Sequence, residues 1–312
     1  MFRLALFALA ATSGCAQPLY ELSGQILPEG TASVTLFGAT HPFTTSTLTD
    51  ESGRFTIKKL PAASYTISVF LPGQGEARQT VEVGPGAADS RRRVRLTLRL
   101  KASDFDRAAL ARQHAVSRRE LTIPEKAFRE YTDAQKDLER RDTEAAEKHL
   151  ERAVELAPQF ALAWNNLGTI AYQTQRFPLA EKRFREALKQ DPAGYEPLVN
   201  LGGVLINLRK LDEALEVNVH ATLVRPNDAL AHSQLGMAYF EIGRYDDALK
   251  HLERARELDL AHFSHPQLYL AEIHLRRGEK LAAADALEDF VRHHPDYPQA
   301  DAMRRKIAEL RQ

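Results

Sequence analysis

The chain has 312 residues, 44% hydrophobic and 27% charged, with 42 Lys plus Arg balanced by 42 Asp plus Glu. That length admits two domains, and the even charge balance gives no global field to attract nucleic acid or an anionic membrane. A single cysteine, Cys15, excludes an intrachain disulfide and any CxxC metal site.

The chain opens MFRLALFALAATSGC, with Arg3 as a minimal basic start and Leu4 to Ala11 as an apolar stretch too short to span a bilayer. Residues 1–16 read as an export signal. Ser13-Gly14-Cys15 resembles the end of a bacterial lipobox, in which a cysteine is lipidated and becomes the mature N-terminus; Thr12 stands where Leu is usual. The resemblance implies a lipid anchor at Cys15 and a periplasmic or outer-membrane lipoprotein. Cleavage after Ala16 by an ordinary signal peptidase is the alternative, leaving a periplasmic or secreted chain. Beyond Cys15 no apolar run is long enough for a transmembrane helix.

Residues 20–100 alternate with period two, most clearly in Arg93-Val94-Arg95-Leu96-Thr97-Leu98-Arg99-Leu100. Turn residues at Pro28-Glu29-Gly30, Asp50-Glu51-Ser52-Gly53, Leu60-Pro61 and Pro72-Gly73 divide the segment into about seven short strands, which predicts a small all-β sandwich. The runs Leu22-Ser23-Gly24-Gln25-Ile26, Thr49-Asp50-Glu51-Ser52-Gly53-Arg54-Phe55 and Leu60-Pro61-Ala62-Ala63-Ser64-Tyr65-Thr66-Ile67 resemble the carboxypeptidase regulatory-like family. That resemblance implies a transthyretin-like, non-catalytic accessory module. Asp50, Glu51 and Asp89 have the chemistry for Ca²⁺ but are more simply solvated turn formers. Arg91-Arg92-Arg93 reads as a charged strand entrance that discourages edge pairing.

Residues 101–124 form a mixed linker, in which Ser103-Asp104-Phe105-Asp106 has the makings of a short capped helix. Pro124 then pushes Ile123 toward an extended conformation, and a long helical pattern begins at Glu125.

Residues 125–312 repeat. Ala146, Ala180, Ala214 and Ala248 are spaced by 34, as are Ala153, Ala187, Ala221 and Ala255, the Leu-Gly pairs at 167, 201 and 235, and Pro158, Pro192 and Pro226. A period of 34 with these residues resembles the tetratricopeptide repeat. The frame gives five units of paired helices and an amphipathic capping helix over 299–312. Gly168, Ala180 and Ala187 are expected to set small side chains against one another where paired helices cross. The expected fold class is therefore multidomain, a small all-β sandwich followed by an all-α superhelix.

No catalytic constellation is visible: no GxSxG, no Walker loop, no HExxH, so no enzyme and no cofactor is expected. His262 and His265, with His293-His294, are too few at irregular spacing to predict a metal site. What remains is a binding surface. The resemblance implies that the first helix of each unit lines a concave groove that takes a protein or peptide partner. Mapped by frame, that groove takes Tyr131 and Gln135, then Asn165, Asn166, Thr169 and Tyr172, then Asn200, Ile206 and Asn207, then Ser233, Met237 and Phe240, and finally Arg276. Tyr131, Gln135 and Glu196 fall where a carboxylate clamp would need cations, so an apolar or aromatic occupant suits the lining better. The expectation is an exported, non-enzymatic scaffold. An alternative gives ligand binding to the sandwich, on cell-envelope carbohydrate or polymer, with the repeats serving assembly. The sequence leaves the oligomeric state open.

Overall fold

The computed structural model describes residues 18–105 and 122–312. The expected export signal with Cys15 and most of the expected linker lie outside the described residues.

Seven strands form the N-terminal unit: β1 (Tyr20–Leu27), β2 (Ser33–Gly38), β3 (Thr44–Leu48), β4 (Arg54–Leu60), β5 (Ala63–Leu71), β6 (Gly75–Val83) and β7 (Arg93–Arg99). They make two sheets, β4-β1-β7 and β3-β2-β5-β6. Strand β1 pairs antiparallel with β4 and parallel with β7, whereas every pairing in the larger sheet is antiparallel. Alternation decides which face is buried: Leu22, Ile26, Val34, Leu36, Ile67, Val69, Val81 and Val94 meet in the core between the sheets. The acidic turns act as turns. Asp50 Oδ1 accepts from the backbone N–H of Ser52 and Arg54, and Asp89 does the same for Arg91 and Arg93. After β7 the chain makes one 3-10 turn, Ala102–Asp104, and Phe105 folds back into the sandwich core.

The second unit is all helical: α1 (Glu125–Arg140), α2 (Thr143–Leu156), α3 (Ala161–Gln173), α4 (Phe177–Gln190), α5 (Tyr195–Asn207), α6 (Leu211–Val224), α7 (Ala229–Glu241), α8 (Tyr245–Leu258), α9 (Pro266–Arg276), α10 (Lys280–His293) and α11 (Ala300–Leu310). The first ten form five successive pairs, each packed on the next, and α11 lays Met303 and Leu310 into the core of the last pair. The repeating alanines at 146, 180, 214 and 248 are fully buried, because neighbouring helices leave room for a methyl group only.

The glycines do something different from what their spacing predicts. Instead of small residue facing small residue, Gly168 and Gly236 each receive a large one, and Gly202 receives Asn218. A Cβ on Gly168 would stand 2.6 Å from the Phe184 ring, and one on Gly236 would stand 2.6 Å from Leu252. The first helix of a pair thins at one point so that a bulky side chain of the second helix can cross it.

Candidate functional site

The first helices of the pairs are α1, α3, α5, α7 and α9, and their expected groove residues form an ordered row. Neighbours in the row are tied together across units. Asn166 donates to the Tyr131 hydroxyl at 3.3 Å, Asn200 to Asn165 at 3.4 Å, and Asn207 to the Tyr172 hydroxyl at 3.3 Å. Each pair is 35 residues apart, one repeat plus one, so the hydrogen bonds step along the superhelix. Burial pushes the Tyr131 and Tyr172 phenols up, against smaller opposing effects of the amides that reach them, so both hydroxyls stay neutral.

Other expected residues are further in. Ile206 is buried, Ser233 is fully buried against the Ser264 hydroxyl at 2.6 Å, and Thr169 bonds back to the Asn165 carbonyl. Gln135 and Met237 are half-buried. At the far end of the row the half-buried Phe240 packs against Tyr245 and Tyr269, with ring centroids 5.8 and 5.3 Å away. The exposed Arg276 guanidinium lies 5.1 Å over Phe240 and donates to the Tyr245 hydroxyl at 2.7 Å. Burial, helped by the Glu241 carboxylate, lifts the Tyr269 phenol to about 12. An aromatic patch topped by a cation is the composition of a contact centre in protein recognition. Tyr245 and Tyr269 were not picked out by the repeat frame: Tyr245 opens a second helix, and Tyr269 is one residue off the mapped row.

The histidines gather without forming a chelating set. His265 and His294 meet edge to face at 4.7 Å inside a nest of Phe290 and Tyr297. Among the described residues no group of three or more His, Cys, Asp or Glu is placed to hold a metal ion.

The sandwich itself reaches both rims of the helical array. On the rim formed by the ends of the first helices, Thr45 donates to Glu139 at 2.8 Å and Gln173 donates to the Gly38 carbonyl at 3.0 Å. On the opposite rim, where one pair passes to the next, Arg78 meets Glu196 at 3.1 Å, the Thr80 backbone N–H donates to Asp259 at 2.8 Å, and His294 meets Glu82 at 3.2 Å. The Gly86 N–H donates to Asp296 on the same rim. These contacts are polar, and they bury Ser68 and Thr80 on the outer face of the larger sheet.

Comparison with known proteins agrees with this architecture. Residues 22–99 match the carboxypeptidase regulatory-like domain. Residues 131–195, 170–218, 229–259 and 267–297 match tetratricopeptide repeat models. The chain is thus a tetratricopeptide repeat protein with an N-terminal carboxypeptidase regulatory-like domain. It is 28% identical over 123 residues to the human Cell division cycle protein 16 homolog, covering 36% of this chain and 20% of that protein. It is also 28% identical over 125 residues to the Type IV pilus assembly protein PilF of Pseudomonas aeruginosa, covering 39% of this chain and 49% of that one. The chain therefore spans half or less of the length of these curated relatives. Among solved structures, MamA of Desulfovibrio magneticus superposes with a TM-score of 0.51 at 20% identity, covering 57% of this chain and 99% of the other, a likeness of fold. The repeat fold is that of protein-interaction scaffolds.

Proposed function

We propose that the protein is an exported, non-enzymatic scaffold that holds a protein or peptide partner along the first helices of its repeats, with its centre at Phe240, Tyr245, Tyr269 and Arg276. The observation that carries this reading is the half-buried aromatic patch topped by the exposed Arg276, at the far end of a row whose earlier members are tied by their own hydrogen bonds. A patch of this kind supplies large apolar area at low entropic cost, and the fixed amide ladder keeps it preorganised. A hydrophobic segment with one acidic or carbonyl group for Arg276 fits it best.

Export rests on the opening residues and Cys15. Full-length wild type and Cys15→Ser, expressed in a bacterial host and fractionated, test it: a lipid-sized adduct that pellets the wild type alone supports the anchor, and soluble cleavage after Ala16 in both removes it. The partner site is tested by capture from an envelope extract with wild type and with Tyr172→Ala/Phe240→Ala. Loss of the captured protein at unchanged helicity supports the groove, and unchanged capture defeats it. Polymer recognition by the sandwich has less behind it, because Phe43, Phe55 and Tyr65 are buried in its core and part of its polar face lies against the repeats.

A further inference from the structure

Among the described residues strand β6 is an edge strand, paired only with β5, and its outward residues Glu76, Arg78, Thr80 and Glu82 all lie on one face. An edge strand exposes unpaired backbone N–H groups and normally needs cover. Here the cover is the rim of the repeats. The Thr80 N–H, on the side of β6 away from β5, donates to the Asp259 carboxylate at 2.8 Å, and both residues are buried. On one side of this bond Arg78 reaches Glu196, and on the other side Glu82 reaches His294. Burial works against the Arg78 charge, but Glu76 and Glu196 outweigh it and hold the guanidinium still more firmly protonated.

Two of the rim residues, Asp259 and His294, come from equivalent places in successive units, with Arg225 as their counterpart one unit earlier; Glu196 instead lies in the first turn of a first helix and pairs with Arg225. Arg225, Asp259 and His294 each follow the last residue of a second helix or the one that caps it, and all three are buried polar groups. A buried carboxylate or imidazole in a loop is costly unless something polar meets it. In this chain that something is an extended strand of fixed charge pattern, basic at one position and acidic four residues later.

The geometry points to a strand-binding site on this rim, formed by Glu196, Asp259 and His294, in which β6 acts as a built-in ligand. A partner presenting an extended segment with a basic residue, a free backbone N–H two positions on and an acidic residue four positions on binds there by displacing the sandwich. The site is separate from the aromatic patch around Phe240, so either can fail without the other.

The test uses the full-length chain and a fluorescein-labelled peptide of residues 75–83, GEARQTVEV. In wild type the site is filled, so the apparent affinity is reduced by the small fraction of open molecules. Arg78→Ala/Glu82→Ala removes the two side-chain pairs that hold β6 in the site without touching the receptor residues, which raises the open fraction, and the peptide is expected to bind at least about tenfold more tightly than to wild type. Adding Asp259→Leu to that variant should abolish binding, whereas Asp259→Asn, which keeps an acceptor oxygen, should retain it. Independently of any variant, saturating peptide should speed amide exchange at residues 76–83 of the wild-type chain. Equal affinity for wild type and the double variant, binding indifferent to Asp259→Leu, or unchanged exchange at 76–83 would each overturn the site.

Discussion

Asn218 is a polar side chain in a place built for hydrocarbon. The matching residues of the other units, Leu150, Phe184 and Leu252, are fully buried beside the thinned first helix, and Asn218 is equally buried with neither amide atom bonded. An unsatisfied buried polar group costs about 1–3 kcal/mol. Asn218→Leu is therefore expected to raise stability by about that amount, seen as a higher urea midpoint at constant slope; a lower midpoint would mean that Asn218 has a partner in solution. A second residue-scale prediction concerns His232 and His251, whose Nδ1 atoms meet at 3.0 Å. Burial, then the neighbouring His232, lowers His251 from 6.5 to about 4, and burial lowers His232 as well. A histidine whose folded pKa is depressed takes up fewer protons folded than unfolded, so its stabilisation is complete above pH 6.5 and drains away as pH falls toward 4. Buried His262 and His265, lowered to about 4 and about 3, act in the same direction. Denaturation midpoints measured across that window should fall with pH, and His251→Leu should flatten part of the slope.

At the scale of the element, the turn inside each helix pair needs one left-handed residue. Arg141, Gln175, Arg209, Gly243 and Gly278 fill that place with φ of 65°, 60°, 61°, 80° and 76°. Only two of the five are glycine, which is why the turn left no periodic mark in the sequence while the helices did. Alanines at 146, 180, 214 and 248 were legible because sterics allow almost nothing else there; a left-handed turn tolerates Arg or Gln at a cost of about 1–2 kcal/mol. Gln175→Gly should recover part of that, about 0.5–1 kcal/mol, as a higher thermal midpoint, since among the described residues no side-chain bond is lost with it. The sandwich strands were equally legible, because a half-buried strand must alternate. The candidate site was legible only as a row. Frame alone placed Tyr172 and Phe240 on first helices, but it could not say that Asn207 would turn to the Tyr172 hydroxyl or that Tyr245 and Tyr269 would join Phe240, since those contacts cross between helices.

At the scale of the whole molecule, a repeat array alone behaves as a one-dimensional stack in which each unit feels mainly its neighbours. This chain adds a cross-member. The sandwich touches the first pair through Glu139, the second through Gln173, the third through Glu196, and the far end through Asp259, His294 and Asp296. Sequence could not reveal this, because the buried polarity of Asp259 and His294 has meaning only once another domain lies on them. A strut of this kind transmits a local loss across the array. Asp259→Leu, at the far rim, should therefore speed amide exchange in residues 76–83 and also in α1, several units away, where Thr45 and Glu139 meet. Hydrogen exchange read by mass spectrometry distinguishes the two architectures: acceleration confined to β6, α8 and α9 is the behaviour of a simple stack, and acceleration reaching α1 while α4 and α6, which the sandwich holds less directly, stay protected is the behaviour of a braced one.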